Sequence, residues 1–314
     1  MGKELRYFVT GAAGCIGAWV VANLARKNID VTAFDVSEDR RRLRLILEPE
    51  QADAVAWIKG DLTDTATVER AVADSGAEAI VHLAALQVPF CKADPALGAR
   101  VNVVGHVNVM EAARKHGVKH LVYASSVAAL SPENAESPHT LYGVYKAADE
   151  GIARVYAQDW GVRSIGLRPH TVYGPGRDQG LTSAPTKAML AAAAGRPFTI
   201  PFTGALNFQY VGEVADIFIR AAEAEIGADQ SPVFDLMGAK AEVADIVAEL
   251  RRVEPSAKIA CEGASLPFPA EFDDRPLRQT VGEWPTIPLR DGIARSVETF
   301  RRLLKSGLVS ADAA

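Results

Sequence analysis

The chain has 314 residues, 48% of them hydrophobic and 23% charged, enough for one large core or for a core with a smaller domain beside it. A net charge of −5 gives no general reason to expect nucleic acid or an anionic membrane surface as partner, and neither is expected. No apolar run reaches the ~18 residues of a membrane helix, and no secretory leader is expected, since no basic-then-apolar stretch stands before Leu5. The three cysteines, Cys15, Cys91 and Cys261, are scattered as in a cytoplasmic protein.

The first strand is predicted at 5–10 (LRYFVT) and the first helix near 15–26. At their junction VTGAAGCIGAW spaces Gly11, Gly14 and Gly17 as G-x-x-G-x-x-G. Such glycines let the backbone turn tightly and approach a pyrophosphate, while the helix N-terminus faces its negative charge. Ordinary turns recruit glycine too, so it is the strand before and the helix after that favour a dinucleotide. A second strand at 30–35 ends in Asp35, whose carboxylate can accept both ribose hydroxyls and repel a 2′-phosphate. NAD is therefore expected over NADP, with a capping or turn aspartate as the alternative. The run Arg40, Arg41, Arg42 and Arg44 reads as a solvated helix face, though it could also receive a 2′-phosphate.

Further strands are predicted at 54–59, 77–83, 120–126 and 163–169, with helices near 64–75, 97–116 and 141–160. Apolar strands separated by helices imply a parallel sheet covered on both faces, the doubly wound α/β (Rossmann) class. After Pro169 the Gly-, Pro- and Thr-rich stretch 171–187 reads as a loop. A helix at 185–195, a strand at 207–211, a helix at 212–225, a strand at 232–237 and a last helix at 289–306 follow. Residues 255–290 carry many prolines and little periodicity. The expected domains are 1–170, binding the dinucleotide with crossings back near 207–236, and 171–314, mainly a smaller substrate-binding domain.

LYGVYKAADE (141–150) supplies the first candidates for chemistry. Tyr142 and Lys146 are four apart and share a helix face, whereas Tyr145 points about 100° away. A lysine beside a phenol favours the phenolate, which can take a proton from a substrate hydroxyl. The bland alternative is a packed tyrosine with a snorkelling lysine. Ser125 and Ser126 close the fifth strand, and doubly wound folds bind ligands at the carboxyl ends of strands; a serine there could equally cap the next turn. His116 and His120 straddle a helix-to-strand transition, so no metal site is expected, and no G-x-S-x-G elbow is present.

Together these stretches resemble the extended short-chain dehydrogenases/reductases, the NAD-dependent epimerase/dehydratase family. TGAAGCIG (10–17), GDLTD (60–64), HLAA (82–85), the block 102–126 and LRPHTVYGPGR (167–177) carry the resemblance. It implies Ser126, Tyr142 and Lys146 as the catalytic set. Tyr142 would be the acid/base, Lys146 the partner of the phenol and the nicotinamide ribose, and Ser126 the holder of the reacting hydroxyl. It also implies NAD contacts from Gly11, Gly14, Cys15, Ile16, Gly17, Asp35, Asp61, Leu62, Leu83, Ala84, Ala85, Asn102 and Pro169, besides Tyr142 and Lys146. Tyr145 departs from the family, which keeps a small residue there.

Other departures concern substrate. Dehydratases and decarboxylases of the family place acidic residues after the catalytic serine or threonine, where this chain has Val127 and Ala128. Nucleotide-sugar members carry an arginine for the diphosphate where LNFQYV has Leu206 and Asn207, and 262–276 offers only Arg275 as a substitute. The loop between Ser126 and Tyr142 is short for the family. The expected activity is NAD-dependent oxidation of a secondary hydroxyl on a small sugar, polyol or sugar acid. The alternatives are a (nucleotide-)sugar epimerase and, from another class, a non-catalytic NAD-binding regulator. The resemblance further implies a homodimer through 97–116 and 141–160.

Overall fold

The computed structural model describes residues 5–131 and 138–313. Much of the short loop between Ser126 and Tyr142 therefore lies outside the described residues. The chain runs β1 (Tyr7–Thr10), α1 (Cys15–Arg26), β2 (Val31–Asp35), α2 (Arg41–Arg44), α3 (Pro49–Ala54), β3 (Ala56–Lys59) and α4 (Thr65–Ser75). Next come β4 (Ala79–His82), α5 (Val88–Ala93), α6 (Pro95–Ala99), α7 (Gly105–His116), β5 (His120–Ala124), α8 (Leu141–Trp160) and β6 (Ile165–Arg168). The remainder is β7 (Thr171–Tyr173), α9 (Ala184–Ala193), β8 (Phe198–Ile200), β9 (Ala205–Tyr210), α10 (Val211–Glu223) and β10 (Val233–Asp235). These are followed by β11 (Ala239–Glu242), α11 (Val243–Val253), β12 (Ile259–Cys261), α12 (Arg275–Val281) and α13 (Leu289–Lys305).

Seven parallel strands form the main sheet in the order β10-β6-β5-β4-β1-β2-β3. The strand order reverses between β1 and β4, the crevice where doubly wound folds take their ligands. Register places Thr10 beside His82 and His82 beside Tyr123, so the carboxyl ends of β1, β4 and β5 come together at one edge. Both faces of β1 and β4 are buried, which explains their unbroken apolar runs. Phe8, Phe34, Ile80, Val109, Met110 and Leu121 build the core on one side.

Two compact units divide the chain. The first takes the chain up to Pro169 with Ala215–Leu236 and Asp274–Trp284, and holds the seven-stranded sheet. The second takes His170–Val214, Met237–Asp273 and the residues from Pro285 onward. It holds a three-stranded sheet, β11-β9-β7, and a two-stranded one, β12-β8.

The structure corrects the predicted elements in several places. The stretch read as a loop opens with β7, whose three residues pair with β9 from Thr171 opposite Phe208; a strand that short shows no period. Residues 255–290 contain β12 and α12, and α2, α3, α5, β8, β11 and α11 are further elements the reading passed over. The helix predicted at 97–116 is three pieces: α6, a π-helical stretch at Arg100–Val104, and α7. It starts earlier because Asp94 caps it, accepting the Leu97 N–H at 2.9 Å, with Pro95 in the first turn.

Candidate active site

The β1–α1 loop turns at Gly11, where φ is +70°, and a Cβ there would lie 2.7 Å from the Ala84 nitrogen. A Cβ on Gly17 would run into the Gly11 carbonyl oxygen. Only glycine lets this loop lie against the HLAA segment. Thr10 Oγ1 fixes the same approach by accepting the Leu83 and Ala84 N–H groups at 3.2 and 3.3 Å. Helix α1 starts with no side-chain cap, so its first-turn N–H groups, with half-buried Cys15 and Ile16, suit an anion.

Asp35 ends β2 and accepts N–H groups from Ala13 at 3.0 Å and Ser37 at 3.1 Å. Burial raises its carboxyl above the ordinary value, with those N–H groups and Arg42 opposing the rise. The arginines are more than a solvated face. Arg42 donates to the Ala13 carbonyl at 2.7 Å, Arg40 to Ala52 at 2.6 Å, while Arg41 and Arg44 pair with Asp39 and Asp53. Asp61 closes its own turn by accepting the Thr63 N–H, and the Leu62 carbonyl accepts from Asn108 at 2.8 Å. Asn102 is buried and spends its amide on both backbone groups of Leu86, at 2.7 and 2.9 Å. Its side chain thus fixes the chain after Ala85. The Pro169 carbonyl accepts the Val127 N–H at 3.3 Å, tying the end of β6 to that of β5. The glycine cradle, the uncapped helix start and the Asp35 carboxylate fit a dinucleotide.

The two serines after β5 have different tasks. Ser125 is buried and donates to Glu150, which also holds Arg168. Ser126 is partly exposed and accepts the Ala128 N–H at 3.1 Å, capping a 3-10 turn at Val127–Ala129. Accepting one N–H leaves its hydroxyl proton available to a ligand. Helix α8 begins with Thr140 accepting the Gly143 N–H at 3.1 Å. A Cβ on Gly143 would collide with the Ala128 carbonyl, so this glycine lets the start of α8 press against the Ser126 turn. That sets the first turn of α8, which carries Tyr142, against the turn that Ser126 caps.

Tyr145 is tethered elsewhere, its phenol donating to the Pro95 carbonyl at 2.9 Å. Lys146 is buried and pairs with Asp149, Nζ to Oδ2 at 3.1 Å. Burial alone would push its ammonium down, but Asp149 and then Tyr142 outweigh it and hold Lys146 above the ordinary lysine value.

Two buried histidines flank the set. His82 Nδ1 lies 2.7 Å from Thr10 Oγ1. The same hydroxyl accepts the Leu83 and Ala84 N–H groups, so it joins the His82 ring to the backbone after β4. His106 lies between His82 and Tyr123, tilted against the first and edge-on to the second, at 5.3 and 5.0 Å between centroids. Among the described residues no group of His, Cys, Asp or Glu could hold a metal ion, and no helix is long and apolar enough to cross a membrane. His116 ends α7 and His120 opens β5, with Gly117 at φ +65° between them. Sequence reasoning passed over Gly143, Asp149, Glu150 and His106. The signal for the two acids was there: carboxylates three and four residues after Lys146 sit on its own helix face.

A family model described as NAD dependent epimerase/dehydratase family matches residues 7–234. The UDP-glucose 4-epimerase of Mycolicibacterium smegmatis is 29% identical, over 95% of this chain and 99% of its own length. Among solved structures, the UDP-glucose 4-epimerase of Thermus thermophilus in complex with NAD has a TM-score of 0.78 at 26% identity, covering 95% of this chain and 99% of that one. A GalE-like L-threonine dehydrogenase from Cupriavidus necator superposes with a TM-score of 0.79 at 22% identity, covering 93% and 99%, a likeness of fold.

Proposed function

Because the chain belongs to the NAD dependent epimerase/dehydratase family and is an NAD-dependent enzyme of the short-chain dehydrogenase/epimerase type, we propose that it oxidises a secondary hydroxyl of a small sugar, polyol or sugar acid. NAD, when bound, supplies the hydride acceptor. In this reading Gly11, Gly14 and Gly17 with Cys15 and Ile16 cradle the pyrophosphate, and Asp35 takes the adenine-side ribose. Asp61 and Leu62 flank the adenine, and Leu83, Ala84 and Ala85, positioned by Asn102, run along the rest with Pro169. Ser126 donates to the substrate oxygen, and Tyr142 removes the hydroxyl proton. The Lys146 ammonium attracts the negative charge that develops on the phenol oxygen and holds the nicotinamide ribose.

One observation carries the preference for a small substrate. At the β9 position where nucleotide-sugar members of the family hold an arginine, Leu206 and Asn207 are both buried. Asn207 accepts the Gly238 N–H at 2.8 Å and turns its amide to the Met237 sulfur. Neither offers a diphosphate the charge-assisted hydrogen bonds worth about 1.5–3 kcal/mol each. Val127 and Ala128 likewise give no carboxyl to drive elimination.

The second reading is an epimerase, favoured by the M. smegmatis relative along the whole chain. Screening aldoses, polyols, sugar acids and nucleotide sugars with NAD separates the two. NADH formed with a small substrate is the expected result. Turnover of a nucleotide sugar with no net NADH would overturn the dehydrogenase in favour of the epimerase.

We further propose a cytoplasmic homodimer. Supporting it, no disulfide joins the three cysteines, and Val104, Val144 and Val155 leave apolar surface exposed along the expected interface. Val144 and Val155, eleven apart, share one side of α8. Sedimentation equilibrium is expected to give twice the chain mass; a monomer at micromolar concentration removes the assignment.

A further inference from the structure

The Lys146–Asp149 ion pair is nearly dry, its side chains 3% and 0% exposed. Removing two charges from water is costly, and the arrangement persists only while both partners remain. Among the described residues, Lys146 is the cation that this carboxylate pairs with. Its second oxygen, Oδ1, is buried with no hydrogen-bond partner among the described residues, and the same holds for both ring nitrogens of His106. Burial first, then the neighbouring Lys146, hold the His106 imidazole below its ordinary value, with Asp149 opposing. His82 is held well below by burial, then by His106 and Lys146. Both rings are therefore neutral. The remaining titratable groups that act on the pair are Tyr142 and Cys91, which act on Lys146, and Tyr123, which feels Asp149. Glu150, next along the helix, is already tied to Arg168.

We propose that Asp149 is a positioning residue that keeps Lys146 an ammonium beside Tyr142, and that this buried pair sets the alkaline limit of turnover. The inference rests on the reading of Tyr142 and Lys146 as the reacting pair. Without the carboxylate a buried ammonium has nothing to offset its desolvation, and buried lysines fall by as much as about 3–5 pH units. A neutral amine then has no charge to offer the phenol oxygen, and activity ends at lower pH.

The test is a titration of 13C-labelled lysine in the NAD-free protein, with the Lys146 signal assigned by its loss in Lys146→Met. Wild-type Lys146 is expected to stay charged beyond 10.5, the ordinary lysine value. In Asp149→Asn it should titrate about two or more units lower. The alkaline limb of kcat/KM, measured with whichever screened compound yields NADH, should move down by the same interval. A wild-type Lys146 that titrates below 10.5 overturns the proposal even if Asp149→Asn does not fold. So does a folded Asp149→Asn whose lysine and pH profile are unmoved. Tyr142→Phe assayed alongside separates the two failures. Turnover surviving in that variant removes the site reading itself, whereas an inactive Tyr142→Phe beside an unmoved Asp149→Asn removes only the role of Asp149.

Discussion

Tyr142→Phe is expected to lower turnover by about 10²–10⁴, the usual contribution of a positioned acid or base, with NAD affinity largely kept. The phenylalanine ring fills the same space at the start of α8, so the Thr140 cap and the Gly143 contact survive. What disappears is the phenol oxygen that, on the proposed reading, takes the substrate proton. Tyr145→Phe is the matched control. It removes only a bond to the Pro95 carbonyl at the surface, so most activity should remain. Steady-state rates and calorimetric NAD binding on both variants decide the matter. Equal losses in the two would mean that helical spacing picked the wrong tyrosine.

The second large effect is on stability. Arg168 on β6 donates to both Glu150 oxygens, at 2.8 and 2.7 Å, and reaches Asp235 on β10 at 3.5 Å. Ser125 at the end of β5 donates to the same Glu150 oxygen as the Arg168 Nε. One carboxylate from α8 thus ties the ends of β5 and β6, and Arg168 carries the link on to β10. Glu150→Ala leaves a mostly buried guanidinium with a single distant partner and strands the Ser125 hydroxyl. Breaking a buried pair from one side costs about 3–5 kcal/mol. Glu150→Gln keeps the shape and loses the charge, so its cost should be smaller. Replacing both partners, as in Glu150→Leu with Arg168→Met, should recover much of the loss because no charge remains stranded. Urea unfolding of the set measures this. A Glu150→Ala cost below about 1 kcal/mol would put the pair among surface ion pairs.

The sequence shows the doubly wound sheet plainly because β1, β4 and β5 are mostly apolar and helix separates each of its first six strands from the next. The glycine loop and Asp35 are legible for a similar reason, since both are local in the chain. Beyond Pro169 the strands β7, β8 and β12 have three residues each, too few for any period to show. They exist because a distant partner pairs with them, as Thr171 does with Phe208. The π-helical stretch at Arg100–Val104 is hidden in the same way, since a periodic pattern reads as one continuous helix. At the site, Tyr142 and Lys146 are visible through their spacing of four. The different tasks of Ser125 and Ser126 are not, because they depend on Glu150 and on the backbone of Ala128, which no local pattern joins to them.

Gly143 has one more consequence. At Gly143 the start of α8 lies so close to the Ala128 carbonyl that only a hydrogen atom fits between them. A methyl group there would act as a shim, tilting the first turn of the helix and everything mounted on it. Misplacements of about 1 Å can cost a factor of about 10² in rate. On the proposed reading, the placing of the Tyr142 phenol is thus gauged by the smallest side chain available, and a chain that lost it would fold well and still work badly.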